Sequence, residues 1–138
     1  MEIDFIPFQI GMQYENWEFD LESIELDTKL PYDKYLYFKK DIKELFGVEV
    51  QYIYLYFNLD ILFKVEIIYK PSSPVQGFMY LVSCLENKYG KLPLTSSEDS
   101  MILSKTWKDP IKNLLVEHHF RSNQVSIILI DIKYLGQT

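Results

Sequence analysis

The chain has 138 residues, an apolar content of 48% and a formal net charge of -6. That length fits a single domain over residues 1–138, and the composition excludes disordered, collagen-like and coiled-coil chains. The acidic balance argues against nucleic acid as a partner, because binding it requires a basic surface. No apolar run reaches the roughly 18 residues of a membrane span, and the N-terminus is acidic where a secretory signal is basic. We therefore expect a cytoplasmic protein that does not associate with membranes.

The first third of the chain predicts short elements. Residues 3–10 look extended, with Pro7 placing them at a sheet edge or a bend. The apolar residues of 13–22 fit both helical spacing and strand alternation, and we favour a short helix. Residues 32–39 predict a strand. Residues 40–46 predict either a helical turn closed by Gly47 or a continuation of that strand.

Residues 48–69 predict a β-hairpin with two different faces. In the first arm, core-type residues alternate with tyrosines, namely Ile53, Leu55 and Phe57 with Tyr52, Tyr54 and Tyr56. In the second arm, the alternating sets are Ile61, Phe63, Val65 and Ile67 against Leu62, Lys64, Glu66 and Ile68. A three-residue loop at 58–60 would place Phe57 opposite Ile61, Tyr54 opposite Lys64, and Tyr52 opposite Glu66. This register collects the core-type residues on one face and the tyrosines, with Lys64 and Glu66, on the other.

The clearest helix signal covers residues 74–89. Ser73 is a suitable N-cap, Pro74 suits the first helical position, and Gln76 would complete a capping box with Ser73. Gly90 predicts the end of the helix. A polar loop at 91–100 is followed by a predicted strand at 101–107 and a second hairpin, 111–120 and 125–134. The run 127–130 is apolar on both sides, as in a central strand.

These elements predict an α+β fold. Runs of strands joined by hairpins indicate a single antiparallel sheet of about five to six strands. The long helix at 74–89 and the shorter N-terminal helix would pack on one face of that sheet.

The residues that usually carry catalysis or bind metals give no recognisable arrangement. The glycines are isolated, so neither a dinucleotide fingerprint nor a P-loop can be built. His118 and His119 are the only histidines, and adjacent strand residues point to opposite faces, so the pair cannot chelate one metal ion. We predict no catalytic residue, no metal site and no cofactor.

Two surfaces are candidates for binding another protein. The first is the tyrosine face, formed by Tyr52, Tyr54 and Tyr56 with Lys64 and Glu66, which Tyr35 or Tyr37 of the preceding strand could extend. Tyrosine combines contact area with a hydrogen-bonding tip and is enriched at interfaces, and the two charges argue for exposure to solvent. The alternative is that this face lies under a helix or is an ordinary β-rich surface, since tyrosine favours strands.

The second candidate is an acidic segment. Residues 1–28 hold eight acidic residues and no Lys or Arg, whereas the other 110 residues hold 14 basic and 12 acidic residues. Its apolar residues (Trp17, Phe19, Leu21, Ile24 and Leu26) are expected to dock on the core. The carboxylates of Asp20, Glu22, Glu25 and Asp27 would then steer a basic partner. The alternative is that they only keep the protein soluble.

An acidic, aromatic-rich α+β chain of this size resembles the immunity proteins that bacteria keep against contact-delivered or secreted toxins. The resemblance consists of size, charge and architecture over the whole chain, and it carries over no individual residue. It implies a non-enzymatic inhibitor that binds a toxin domain, often a basic nuclease, and blocks its active site or substrate groove. The alternative interpretation is a small-molecule or peptide binding module that uses a cavity between sheet and helix or an exposed strand edge.

Overall fold

The structure is a computed structural model that describes residues 3, 7–25, 31–91, 95–96 and 101–135, with only the backbone at 95 and 96. Its described residues form one α-helix, α1 (Pro74–Tyr89). The strands are β1 (Leu21–Ile24), β2 (Asp33–Tyr37), β3 (Glu44–Leu45), β4 (Val48–Asn58), β5 (Ile61–Tyr69), β6 (Thr95–Ser96), β7 (Ile102–Lys108), β8 (Lys112–His119) and β9 (Gln124–Asp131). Short 3₁₀ turns cover Tyr14–Asn16, Glu18–Asp20 and Ile132–Tyr134.

The strands form one antiparallel sheet. Eight of them follow the order β1-β2-β4-β5-β9-β8-β7-β6, and β3 pairs with β4 beside that path. The predicted α+β class with one antiparallel sheet is confirmed, but the expected five to six strands are too few. The difference arises because β1, β3 and β6 are two to four residues long. Such short segments cannot display the alternation that identifies a strand in a sequence.

The long helix has the predicted bounds. Pro74 takes the first helical position, and Gly90, with φ of 101°, ends the helix. The predicted capping box does not form, because the Ser73 side chain makes no capping hydrogen bond. The Ser73 carbonyl accepts the N–H of Gly77 at 2.8 Å, which is the first hydrogen bond of the helix. The residues that α1 buries against the sheet are Gly77, Phe78, Leu81, Val82 and Leu85.

The predicted shorter N-terminal helix is wrong. Residues 14–16 and 18–20 form 3₁₀ turns, and the chain then enters β1. A 3₁₀ turn places residues i and i+3 on one side, so Tyr14 and Trp17 both reach Phe57, with ring centroids 5.5 and 6.4 Å away. Packing on the sheet therefore overrides the α-helical spacing. The expected extended segment at 3–10 forms no strand in its described residues, although Ile3 and Phe8 are buried in the core.

The β4–β5 hairpin has the predicted faces but a different register. Its turn is two residues long, Leu59 and Asp60, both with positive φ. A bulge follows, so Tyr54 lies opposite Glu66 and Tyr56 lies opposite Lys64. This differs by two residues from the predicted pairing. Because side chains alternate with a period of two, a shift of two residues leaves the tyrosines, Lys64 and Glu66 on one face.

The bulge does exchange the faces of the residues beside the turn. Leu62 lies opposite Phe57 and is completely buried in the core. Phe63 instead contacts the ring of Tyr56 on the other face, and Ile61 is 38% exposed. The prediction that Ile61 and Phe63 belong to the core-facing set is therefore wrong.

The segment before β4 forms a second, smaller hairpin. Residues 44–45 pair with β4 through a turn at Phe46 and Gly47, both with positive φ. Neither a helical turn nor a continuation of β2 forms. Gly47 also lies against α1, since a Cβ atom there would be 3.1 Å from the Tyr80 hydroxyl oxygen.

The C-terminal half follows the prediction closely. The strands β7, β8 and β9 form where they were expected, and β9 is central, between β5 and β8. Two residues of the predicted polar loop form β6, while residues 92–94 and 97–100 lie outside the described part.

The sheet thus has two unlike faces. The inner face carries the core and packs against α1 and the N-terminal segment. The outer face is the opposite one, and no α-helix of the described residues packs against it. The tyrosine face belongs to this outer face.

Candidate functional site

The three tyrosines of the tyrosine face differ in exposure. Tyr52 is 44% exposed, Tyr54 is half-buried and Tyr56 retains 6% of its exposure. All three point to the outer face, because the residues that alternate with them along the strand, Ile53, Leu55 and Phe57, belong to the core. The structure therefore brings together the predicted set but makes only its Tyr52 end freely accessible. The suggested extension by Tyr35 or Tyr37 is wrong, because both residues pack with the core on the inner face.

Strand pairing arranges charged residues in two neighbouring rows across the outer face. In the lysine row, Lys34 of β2 lies opposite Tyr56 of β4, which lies opposite Lys64 of β5. In the glutamate row, Glu22 of β1 is followed across the sheet by Leu36, Tyr54 and Glu66. The rows are two residues apart along each strand, which corresponds to about 7 Å.

The ammonium groups of the lysine row lie over aromatic rings. The Lys34 Nζ is 4.3 Å from the Tyr54 ring centroid and 5.5 Å from that of Tyr56, and the Lys64 Nζ is 4.7 Å from that of Tyr56. Lys64 is only 8% exposed, so the expectation that it marks a solvated position is wrong. Burial lowers the pKa of Lys64, while the carboxylate of Glu66 acts in the opposite direction.

The glutamate row is tied to the lysine row by one hydrogen bond. The Tyr56 hydroxyl donates to Glu66 Oε1 at 3.0 Å. Burial raises the pKa of Tyr56, and the charge of Glu66 raises it further, so this phenol stays protonated and remains a donor. Burial likewise raises the pKa of Tyr54.

Aromatic side chains of the same protein hold Tyr56 in place. Tyr32 lies 5.9 Å from Tyr56 and 5.5 Å from Phe63 between ring centroids, and Tyr134 stacks on Phe63 at 4.2 Å. The Asn58 side chain donates to the Tyr134 hydroxyl at 2.9 Å. This cluster closes one end of the outer face, so Tyr56 supports the surface while Tyr52 and Tyr54 present it.

The predicted acidic residues are distributed around β1. Asp20 is half-buried just before the strand, where its carbonyl accepts the N–H of Phe38 at 3.0 Å. Glu22 lies on the outer face in the glutamate row, and Glu25 is exposed just after the strand. Asp27 lies outside the described residues. The acidic segment and the tyrosine face, which were predicted separately, therefore meet at Glu22.

Sequence reasoning misplaced Phe19 and did not identify Lys34. Phe19 was expected to dock on the core with Trp17 and Leu21, but it is 87% exposed. Lys34 was not singled out, although strand pairing places it beside Tyr56. The alternation of residues 33–37 carried a signal for its face, but the strand order that brings β2 beside β4 cannot be read from alternation.

The two histidines point away from each other as predicted. His118 is buried at the inner face near Phe78 and Phe120, and burial lowers its pKa. His119 lies 3.1 Å from Glu117, measured from Nε2 to Oε1. Within the described residues, no group of three or more His, Cys, Asp or Glu side chains could hold a metal ion.

The remaining findings concern the chain as a whole. None of the helices in the described ranges is long and apolar enough to cross a membrane. Neither a protein-family model, nor a curated protein, nor a solved structure matches this chain.

Proposed function

We propose that this chain is a non-enzymatic, cytoplasmic protein-binding domain of the immunity type, which neutralises a basic toxin domain by binding it with the outer face. The observation that carries the proposal is the combination of exposed Tyr52 and half-buried Tyr54 with the charged rows, on a sheet face that no described α-helix occupies. Tyrosine is enriched at the energetic centres of interfaces, whereas polar residues form their rims.

The proposed mechanism has two stages. Carboxylates of the acidic segment, among them the exposed Glu22 and Glu25, attract the basic partner and raise the rate of encounter. Tyr52 and Tyr54 are then buried against the partner, which slows dissociation because truncation of such anchors acts mainly on the dissociation rate.

The test uses the protein encoded directly beside this chain's gene, since an immunity gene normally neighbours its toxin gene. Association and dissociation rates are measured for the unmodified chain and for two variants. The double variant Glu22→Lys/Glu25→Lys should slow association at least about tenfold at low salt and much less at high salt. Tyr52→Ala should leave association unchanged and speed dissociation about tenfold.

A matched control is available on the β3–β4 hairpin. Glu44 and Glu49 lie opposite each other there, are both exposed, and are outside the rows. Glu44→Lys/Glu49→Lys makes the same change in net charge and should alter association by no more than about twofold. If the two double variants slowed association equally, only the net charge of the protein would matter, and the acidic segment would have no specific role in steering. Failure of the neighbouring protein to bind at low salt would contradict the proposed function.

A small-molecule or peptide binding module is the second candidate, and a specific cavity favours it. A cavity of about 600 Å³ lies between the β3–β4 hairpin and the start of α1, and its lining includes Glu49, Lys70, Gln76 and Tyr80. This volume is within the usual range for ligand pockets. Native mass spectrometry of the purified protein tests this candidate, because a retained ligand would add a discrete mass.

A further inference from the structure

We infer that the lysine row, Lys34, Tyr56 and Lys64, is the docking site for a carboxylate side chain of the protein partner, and that this contact fixes where the partner sits on the outer face. The inference rests on the proposed function and adds the chemistry of the contact. It differs from electrostatic steering because it assigns an acidic group to a partner that is basic overall.

The first argument is the state of Lys64. This side chain is more than nine-tenths buried, yet no carboxylate of the described residues lies within 4 Å of its ammonium group. The ammonium group lies instead over the ring of Tyr56. Charged groups that are removed from water are normally paired, because leaving one unpaired costs several kcal/mol. An incoming carboxylate would complete this environment, and it would approach from the half-buried Lys34, because Lys64 and Tyr56 themselves expose little surface.

The nearby carboxylates are already engaged. Glu66 Oε1 accepts the Tyr56 hydroxyl at 3.0 Å, and Glu117 Oε1 lies 3.1 Å from His119 Nε2. Their charges favour the protonated form of Lys64 from a distance but do not form an ion pair with it. The outer face therefore holds an ammonium group whose own neighbours do not neutralise it by contact.

Lys34 makes the site bivalent. Its Nζ lies 5.5 Å from the Tyr56 ring centroid, compared with 4.7 Å for the Lys64 Nζ. Two like charges near one ring repel each other, and Lys34 indeed acts to lower the pKa of Lys64. A carboxylate that contacts both ammonium groups would relieve this repulsion.

The glutamate row determines which anion fits. Glu22 and Glu66 would repel a polyanion such as nucleic acid, whereas they would attract a basic side chain about 7 Å from the carboxylate. In an extended segment, side chains at positions i and i+2 point the same way and are about 7 Å apart. The occupant is therefore an extended protein segment with Lys or Arg two positions away from Asp or Glu.

Two blocked pentapeptides of identical composition test this inference on the isotope-labelled protein. The matching probe is acetyl-Thr-Lys-Thr-Glu-Thr-amide, and the control, acetyl-Thr-Lys-Glu-Thr-Thr-amide, places its charges on opposite sides of an extended chain. NMR titration should show the first peptide shifting the side-chain signals of Lys34 and Lys64, with at least about fivefold tighter binding than the control. Equal binding of the two peptides, or no shift at Lys64, would overturn the inference.

Variants locate the contact. Lys64→Met should weaken binding of the matching peptide about tenfold, and Lys34→Met should weaken it by a smaller factor. Lys108→Met removes an exposed lysine at the β7 end of the same cross-sheet row and should change binding by less than about twofold. If Lys64→Met does not fold, the test relies on Lys34→Met. Unchanged peptide binding by Lys34→Met would then contradict the inference.

Inorganic phosphate separates a protein-docking site from a general anion site. If phosphate shifted Lys64 at lower concentrations than the matching peptide, the inference of a protein carboxylate would be wrong. The outcomes are also separable from the proposed function. If Lys64→Met bound the toxin with normal affinity, only the inference would be contradicted. If the matching peptide bound selectively but no toxin complex formed, only the proposed function would be contradicted.

Discussion

The inner and outer faces of β4 are built from alternate residues of one strand and have opposite character. On the inner face, Ile53, Leu55 and Phe57 keep between 0% and 4% of their exposure. On the outer face, exposure falls from 44% at Tyr52 to 6% at Tyr56. Neighbouring residues in the sequence therefore lie in different environments, and a substitution in this strand is expected to act on the core or on the proposed binding surface according to its face.

The comparison also shows two ways of burying a side chain. Helix α1 and the N-terminal segment cover the inner face with apolar groups. On the outer face, the Tyr56 ring contacts Lys64, Tyr32 and Phe63, and no α-helix of the described residues covers them. Burial of the second kind leaves an ammonium group without a contacting carboxylate among the described residues, which is a state that a core does not tolerate.

The largest expected effect lies at the centre of the inner face. Leu55→Ala should lower the free energy of unfolding by about 2–5 kcal/mol, because it opens a cavity in a completely buried site. Denaturant unfolding monitored by circular dichroism measures this change. A loss below about 1 kcal/mol would show that the inner face is not the close-packed core described above.

The next largest effect concerns the contact that fastens the N-terminal segment over the inner face. Asp109 accepts the backbone N–H groups of Ile3, Ile111 and Lys112 at 2.9–3.0 Å and pairs with the Lys112 ammonium at 3.0 Å. Burial acts to raise the pKa of Asp109, but these donors outweigh it and lower the pKa to about 2. Asp109→Asn should lower the free energy of unfolding by about 1–3 kcal/mol.

The same carboxylate predicts a pH dependence. Its folded-state pKa lies below the ordinary value of 3.8, so its contribution to stability is complete above that pH and is lost as the pH falls towards 2. Unfolding curves measured between pH 5 and pH 2 should therefore converge for the unmodified chain and Asp109→Asn. A constant difference across this range would contradict the assignment.

A smaller effect is expected at the closed end of the outer face. Tyr56→Phe removes only the hydrogen bond to Glu66 and should cost about 0.5–1.5 kcal/mol of stability. Phe63→Leu is an informative companion, since it disturbs the aromatic cluster and leaves the hydrogen bond intact. If Tyr56→Phe had no effect on the unfolding curve, the link between the two rows would be unimportant for the fold.

The smallest effect on stability is expected at the open end. Tyr52→Ala should change the free energy of unfolding by no more than about 0.5–1 kcal/mol, because the ring is 44% exposed and covers little of the core. Thermal unfolding is the measurement. A loss as large as that of Leu55→Ala would remove the distinction between the two faces and, with it, the basis for assigning recognition to Tyr52.

Much of the fold followed from the sequence where local signals are long. Pro74 and Gly90 bound a 16-residue helix, and the long alternating arms of β4 and β5 assign their faces. Prediction failed where segments are short or where tertiary packing decides. The turns at 14–20 adopt 3₁₀ geometry to bring Tyr14 and Trp17 onto Phe57, and the bulge after Tyr56 reverses Phe63.

The sequence by itself determined which residues alternate, where the helix begins and ends, and that the charge of the first 28 residues is wholly acidic. These are properties of neighbours along the chain, so local spacing and composition specify them. Only the tertiary structure decided that β1 and β2 lie beside β4, which brings Glu22 and Lys34 to the tyrosines. Strand order depends on how distant segments share one core, and no local pattern records that choice.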